Sequence, residues 1–208
     1  MEPICNESKD KNEKSNLILQ NIKSNYFLLN IYDIILKKKS LEIVKYNKKI
    51  QKRMNLSIKD FQEYSEIEIE VILCKNSYGQ FININEKDKL FYHIYFNDNK
   101  KEIKNKYEIN KKDKVTIIKI IIDYQIKSFE KLFNKCKCIK TINFIKFNRN
   151  DINNMSYMFY GCESLKELNL NNFNTNNVTN MESMFRGCSD DLERKIKLEN
   201  KNIKAEAF

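Results

Sequence analysis

Glycine and proline are nearly missing from this chain: three Gly and one Pro among 208 residues. That scarcity excludes collagen-like segments and argues against long flexible linkers. Histidine occurs once, at His93, and arginine is scarce beside lysine. No apolar run approaches the ~20 residues needed to span a bilayer. The amino-terminal MEPICNESKDKNEKSN has no apolar segment of the secretory kind. The expectation is an intracellular, cytoplasmic protein without a membrane span. P-loops, glycine-rich phosphate cradles and nucleophile elbows are also missing. No catalytic residue, metal or cofactor is therefore expected.

What is present describes a folding chain. Hydrophobic residues make up 41% and aromatics 12%, enough for a buried core. The formal charge of +10 would suit an acidic partner. The chain is rich in Lys, Asn and Ile, however, all encoded by A/T-rich codons, and genome composition alone can supply the excess lysine. Scarce arginine also weighs against nucleic acid, because Arg is preferred for bidentate phosphate and base contacts. Six cysteines in a reducing compartment read as free thiols rather than a disulfide framework.

Residues 1–20 read as a charged leader and 21–64 as a helical region. A helix from Ser40 to about Met54 would bury Ile43, Val44 and Ile50, and a short helix over Ser57–Tyr64 follows. Lys45, Lys48, Lys49, Lys52 and Arg53 would form one basic stripe, read either as a contact for an acidic partner or as a solvated helix side. Residues 65–114 read as β-rich. Glu66 to Val71 alternates strictly, the mark of a strand with one buried face. Further strands are expected at Phe81–Ile84, at Leu90–Phe96 in a central position because both faces are apolar, and at Tyr107–Ile109.

From 115 to 188 the chain repeats itself. Met155-Ser-Tyr-Met158-Phe159-Tyr-Gly161-Cys162 returns as Met181-Glu-Ser-Met184-Phe185-Arg-Gly187-Cys188, a period of 181 − 155 = 26 residues. Phe129, Met155 and Met181 share a register, as do Phe133, Phe159 and Phe185, and Cys136, Cys162 and Cys188. Such a period signals stacked units that bury one another. A zinc reading of Cys136, Cys138, Cys162 and Cys188 is weaker than a stacked-core one, because three of the four recur at one repeat position. His93 reads as a hydrogen-bonded strand histidine; no orienting carboxylate is marked in the sequence near it. After Cys188 the pattern Ser189-Asp190-Asp191-Leu192-Glu193 starts a capping helix over 189–208, with Asp190 as the cap.

The phrase NNMSYMFYGCESLKELNLNNFNTNNVTNMESMFRGC resembles the BspA-like class of leucine-rich repeat. Its carriers are Met155, Met158, Phe159, Gly161, Cys162, Leu165, Leu168, Leu170, Phe173, Val178 and Met181. The resemblance covers residues ~116–190, with Lys135 where the later units have Gly. It implies a curved solenoid that binds proteins or other macromolecules without catalysis. The helical stretch at ~26–54 resembles an F-box at Leu28, Leu29, Ile31, Ile35, Leu41, Val44, Asn47 and Lys48, though the customary Leu-Pro opening is missing. That similarity implies docking to a ubiquitin-ligase adaptor.

The expected fold is thus α+β: N-terminal helices and strands leading into a short leucine-rich solenoid with a C-terminal helical cap. The expected function is non-catalytic protein–protein interaction. With leucines inward, Glu167, Asn169 and Asn171 should face out, beside Thr141, Asn143 and Ile145.

Overall fold

The computed structural model describes residues 21–25, 28, 41, 44, 47–170, 173, 175–200 and 202–208. They fall into two compact units, Met1–Tyr64 and Ser65–Phe208. The expected leader, residues 1–20, lies outside the described residues, as do Leu29, Ile31 and Ile35 of the F-box-like stretch.

In the first unit, Leu28, Val44, Ile50 and Met54 are buried together against Ile22, Leu56 and Phe61. The helix expected through Met54 is interrupted. Asn47 stands outside it and accepts the Ile50 amide at 3.1 Å on Oδ1, starting helix α1 (Lys48–Arg53) afresh. A short amide side chain that satisfies an orphan N–H is a good helix start and a poor helix interior. Helix α2 (Ile58–Ser65) is entered through Ser57. Its amide donates to Asp60 Oδ2 at 2.7 Å, while the Asp60 amide donates to Ser57 Oγ at 3.4 Å. This is the reciprocal arrangement of a capping box.

The second unit is mainly β. Its strands are β1 (Ile67–Leu73), β2 (Gly79–Gln80), β3 (Tyr92–Phe96), β4 (Glu108–Ile109), β5 (Ile117–Ile122), β6 (Ile139–Phe147) and β7 (Glu167–Asn169). Helix α3 (Asp190–Glu199) and 3-10 turns at Glu86–Phe91 and Ala205–Ala207 complete it. Five strands form one mixed sheet in the order β3-β5-β1-β6-β7, and β2 pairs with β4 apart from it. Only β6 and β7 run parallel; the other neighbours in the large sheet are antiparallel.

This topology overturns the expected solenoid and its α+β class. A leucine-rich solenoid requires the strands of successive repeats to lie side by side and parallel. Here β1, which precedes the repeat, sits between β5 and β6 and runs antiparallel to both. Ile67, Ile69, Val71 and Leu73 bury one face of β1 while its two edges pair with the β-branched β5 and with β6. A strand with a strongly apolar face and two free edges competes well for such a central place. The repeat region therefore contributes β5 and one parallel strand pair, β6–β7, to a mixed sheet.

The repeat register nevertheless governs packing beside the sheet. Phe133 and Phe159 stack with centroids 5.7 Å apart, and Phe159 and Phe185 with centroids 5.5 Å apart. Backbone bonds follow the same step: the Phe133 amide donates to the Met158 carbonyl at 2.8 Å, and Phe159 to Met184 at 2.9 Å. Left-handed backbone recurs as well. Lys131, Tyr157 and Ser183 share φ of 58, 56 and 49°; Lys135, Gly161 and Gly187 share φ of 57, 67 and 79°.

Three local expectations also change. Strand β3 begins at Tyr92, because Glu86–Phe91 takes up the preceding residues as a 3-10 turn, and it lies at the sheet edge, not its centre, its outer side met by the Ile94–Ile103 bridge. Phe81–Ile84 forms no strand, although Phe81 and Ile82 are buried. The N-cap of α3 is Ser189, whose side chain accepts the Leu192 amide at 3.4 Å, and the helix stops at Glu199. Among the described residues no helix is long and apolar enough to cross a membrane.

Candidate partner-binding site

The parallel β6–β7 pair brings together residues whose alternation points them to opposite sides of the sheet. Thr141 lies opposite Glu167, Ile142 opposite Leu168 and Asn143 opposite Asn169. Ile142 and Phe144 are buried, so Asn143 is turned to the other face. Glu167 and Asn169 are exposed beside it. Asn143 is held by its Nδ2, which donates to Glu70 Oε1 at 3.0 Å. The sheet register extends this row inward through Glu70 and Lys119 to Tyr95.

One of the expected face residues does not join it. Thr141 is 4% exposed and offers nothing to a partner. Ile145 is 52% exposed and follows buried Phe144, so it keeps the outward side with Asn143, at the point where the β1–β6 pairing skips from Ile69 opposite Phe144 to Glu68 opposite Lys146. Asn171 lies outside the described residues.

Helix α3 supplies a wall that sequence reasoning missed. Lys195, Glu199 and Asn200 line an open cleft of about 320 Å³ with Asn143, Glu167 and Asn169; Leu168 and Leu170 form its apolar part. Burial of Leu192 and Ile196 turns Lys195 and Glu199, one helical turn apart, to the side of the helix. The helical period announced which α3 residues are outward, but nothing local to the helix announced that they would meet β7.

Of the expected basic stripe, Lys48, Lys49 and Lys52 are exposed on α1, while Lys45 lies outside the described residues, before the helix start at Asn47. Arg53 is occupied within its own unit: Nη2 donates to the Ile22 carbonyl at 2.6 Å and Nε to Asn25 Oδ1 at 3.0 Å.

The repeat cysteines are interior donors. Cys162 Sγ donates to the Phe133 carbonyl at 2.9 Å and Cys188 Sγ to the Phe159 carbonyl at 3.2 Å, each reaching the preceding repeat. Burial pushes the Cys188 thiol up to about 12 and the Cys138 thiol up to about 11, and it raises Cys136 and Cys162 as well. Such thiols are poor nucleophiles and poor metal ligands at neutral pH. Among the described residues, no group of three or more His, Cys, Asp or Glu side chains is placed to hold a metal ion.

His93 does have orienting carboxylates, supplied from distant positions. Its Nδ1 lies 3.0 Å from Glu102 Oε1 and its Nε2 lies 3.4 Å from Asp123 Oδ1. Burial of the ring opposes its charge, but the hydrogen bonds and negative charges of the two carboxylates outweigh burial and raise its pKa. Glu102 comes from the β3–β4 connection and Asp123 from just beyond β5.

A family model described as "Mycoplasma protein of unknown function, DUF285" matches residues 122–205. The matched span runs from the last residue of β5 through β6, β7 and α3, so it contains most of the repeat and the candidate cleft. No curated protein and no solved structure matches the chain.

Proposed function

We propose that this protein is a non-catalytic protein–protein interaction module working inside the cell, and that its contact surface is the β6–β7 edge with the adjoining side of α3. The observation that carries the reading is the cleft where exposed Glu167 and Asn169 on an edge strand face Lys195 and Glu199 on a helix. Both signs of charge, three amide side chains and an apolar floor from Leu168 and Leu170 suit a peptide segment better than a phosphate backbone. The bland alternative is a solvated sheet edge with no partner.

The test is affinity capture from the native cell with tagged full-length protein, beside the double variant Glu167→Lys/Asn169→Ala. Loss of a captured protein, at an unchanged melting midpoint, supports the reading. A captured set identical in both forms sinks it. A set lost instead on charge reversal at Lys48 and Lys52 would move the contact to α1.

A further inference from the structure

A neutral imidazole has one N–H and one lone pair, so it can donate to only one of two flanking carboxylates. His93 is flanked by two, Glu102 at 3.0 Å on Nδ1 and Asp123 at 3.4 Å on Nε2. In the neutral ring, whichever nitrogen is bare points its lone pair at a carboxylate. In the imidazolium both contacts become charge-assisted hydrogen bonds.

The three residues come from three separate pieces of chain. His93 is on β3, the edge strand of the five-stranded sheet. Asp123 follows β5 and is fixed there: its amide donates to the Phe91 carbonyl at 3.0 Å, and its own carbonyl accepts from Arg149 Nη1 at 3.0 Å. Glu102 belongs to the connection that returns along the outer side of β3, where Ile103 pairs with Ile94 and its amide donates to the Ile94 carbonyl at 2.8 Å. That connection covers an edge that would otherwise offer unpaired backbone groups to another strand.

We propose that His93 is a proton-operated latch which, when charged, ties the 97–107 connection to the sheet through Glu102 and Asp123 and keeps the β3 edge covered. When the ring loses its proton its bond to Glu102 falls from charge-assisted to neutral strength or, in the other tautomer, is lost, so the connection loosens and the Ile103–Ile94 bridge opens more often.

Other charges in the neighbourhood do not substitute for the latch. Lys119 on β5 is paired with Glu68 of β1 at 2.6 Å, and Arg149 is paired with Asp151 at 2.8 Å. Tyr95, two residues along β3, has its phenol raised by burial first and then by the Glu102 charge, so it stays neutral across the range concerned. The sign follows from the raised histidine pKa. The latch contributes fully below the ordinary histidine value and is lost as pH rises through the value in the folded protein.

The experiment is NMR on the full chain from pH 5.5 to 9. The imidazole Cε1 proton of His93 reports protonation, and amide exchange of Ile103, corrected for its intrinsic base catalysis, reports the bridge. Protection at Ile103 should fall about fivefold across the His93 titration, the difference between a charged and a neutral hydrogen bond. Protection at Ile120 in β5 should not move. In Glu102→Gln the histidine should titrate lower and the Ile103 transition should vanish. Ile103 protection that is independent of pH, or that falls equally in Glu102→Gln, overturns the proposal.

Discussion

Phe208 stacks on Phe185 with ring centroids 5.3 Å apart, continuing the column that runs through Phe159 to Phe133 at 5.5 and 5.7 Å. The segment around it carries none of the repeat phrase, yet it fills the next position of the register. The Ser183 and Phe185 amides donate to the Glu206 and Ala207 carbonyls at 2.7 Å each, and the Glu206 carboxylate takes the Met181 amide at 3.1 Å. A side-chain oxygen thus stands where the earlier repeats offer a backbone carbonyl.

The column sets a graded prediction. Phe159, buried with a ring on each face, should cost ~3–5 kcal/mol when truncated to Ala. Phe208 is half-buried, stacked on one side and under Lys197 at 4.2 Å, so Phe208→Ala should cost about 1–3 kcal/mol. Urea unfolding of the two variants checks the order; equal midpoints would mean that the column is not cooperative.

Lys135 holds the left-handed conformation that its register mates Gly161 and Gly187 adopt without a side chain. Lys135→Gly should stabilise the protein by about 1 kcal/mol, the left-handed strain relieved less the added freedom of the unfolded chain. The converse, Gly187→Ala, should destabilise, since its new Cβ would meet the Gly161 backbone at 3.4 Å at a φ of +79°. Thermal melts of both variants decide the signs.

The buried thiols predict an alkaline limit. Their folded pKa values are raised, mainly by burial, so the neutral form is favoured in the folded state. That contribution is whole below the ordinary thiol value and is lost as pH climbs from about 9. Native protein at pH 8 should react with a thiol reagent at half-buried Cys74 and leave Cys136, Cys162 and Cys188 untouched until denaturant is added. Mass mapping of the labelled sites is the check; rapid native labelling at Cys162 would contradict the packing.

Arg149 is a buried cation whose guanidinium donates twice to Asp151 and once to the Asp123 carbonyl. Arg149→Met should cost about 2–3 kcal/mol, because the Asp123 carbonyl and the carboxylate lose charged donors. Burial alone would raise the Asp151 pKa, but Arg149 outweighs it and holds the carboxyl below its ordinary value. Its contribution is therefore present above that ordinary value and is lost as pH falls through the folded one. The variant should show a flatter acid limb in its stability–pH profile; an unchanged limb would show that the pair does not contribute.

Part of the candidate site is legible in the sequence. The register that set Asn143 beside Asn169 and Thr141 beside Glu167 is the repeat period itself, and it survives in the β6–β7 pairing. Thr141 is buried instead of outward because alternation holds only while pairing stays regular, and the β1–β6 ladder slips beside it at Ile72/Leu73. The partners of His93 were invisible for another reason: Glu102 is nine residues away and Asp123 thirty, with no local pattern joining them.

The sequence by itself determined the 26-residue register, because side chains of matched size recurring at one spacing can all be buried only by stacking. It also determined that β1 has one apolar face, since alternation is a property of the strand alone. Tertiary structure decided where β1 goes. Strand pairing is non-local, and an alternating strand with two free edges carries no mark of which neighbours it will take. By entering between β5 and β6 it turned a repeat into one parallel pair at the edge of a mixed sheet.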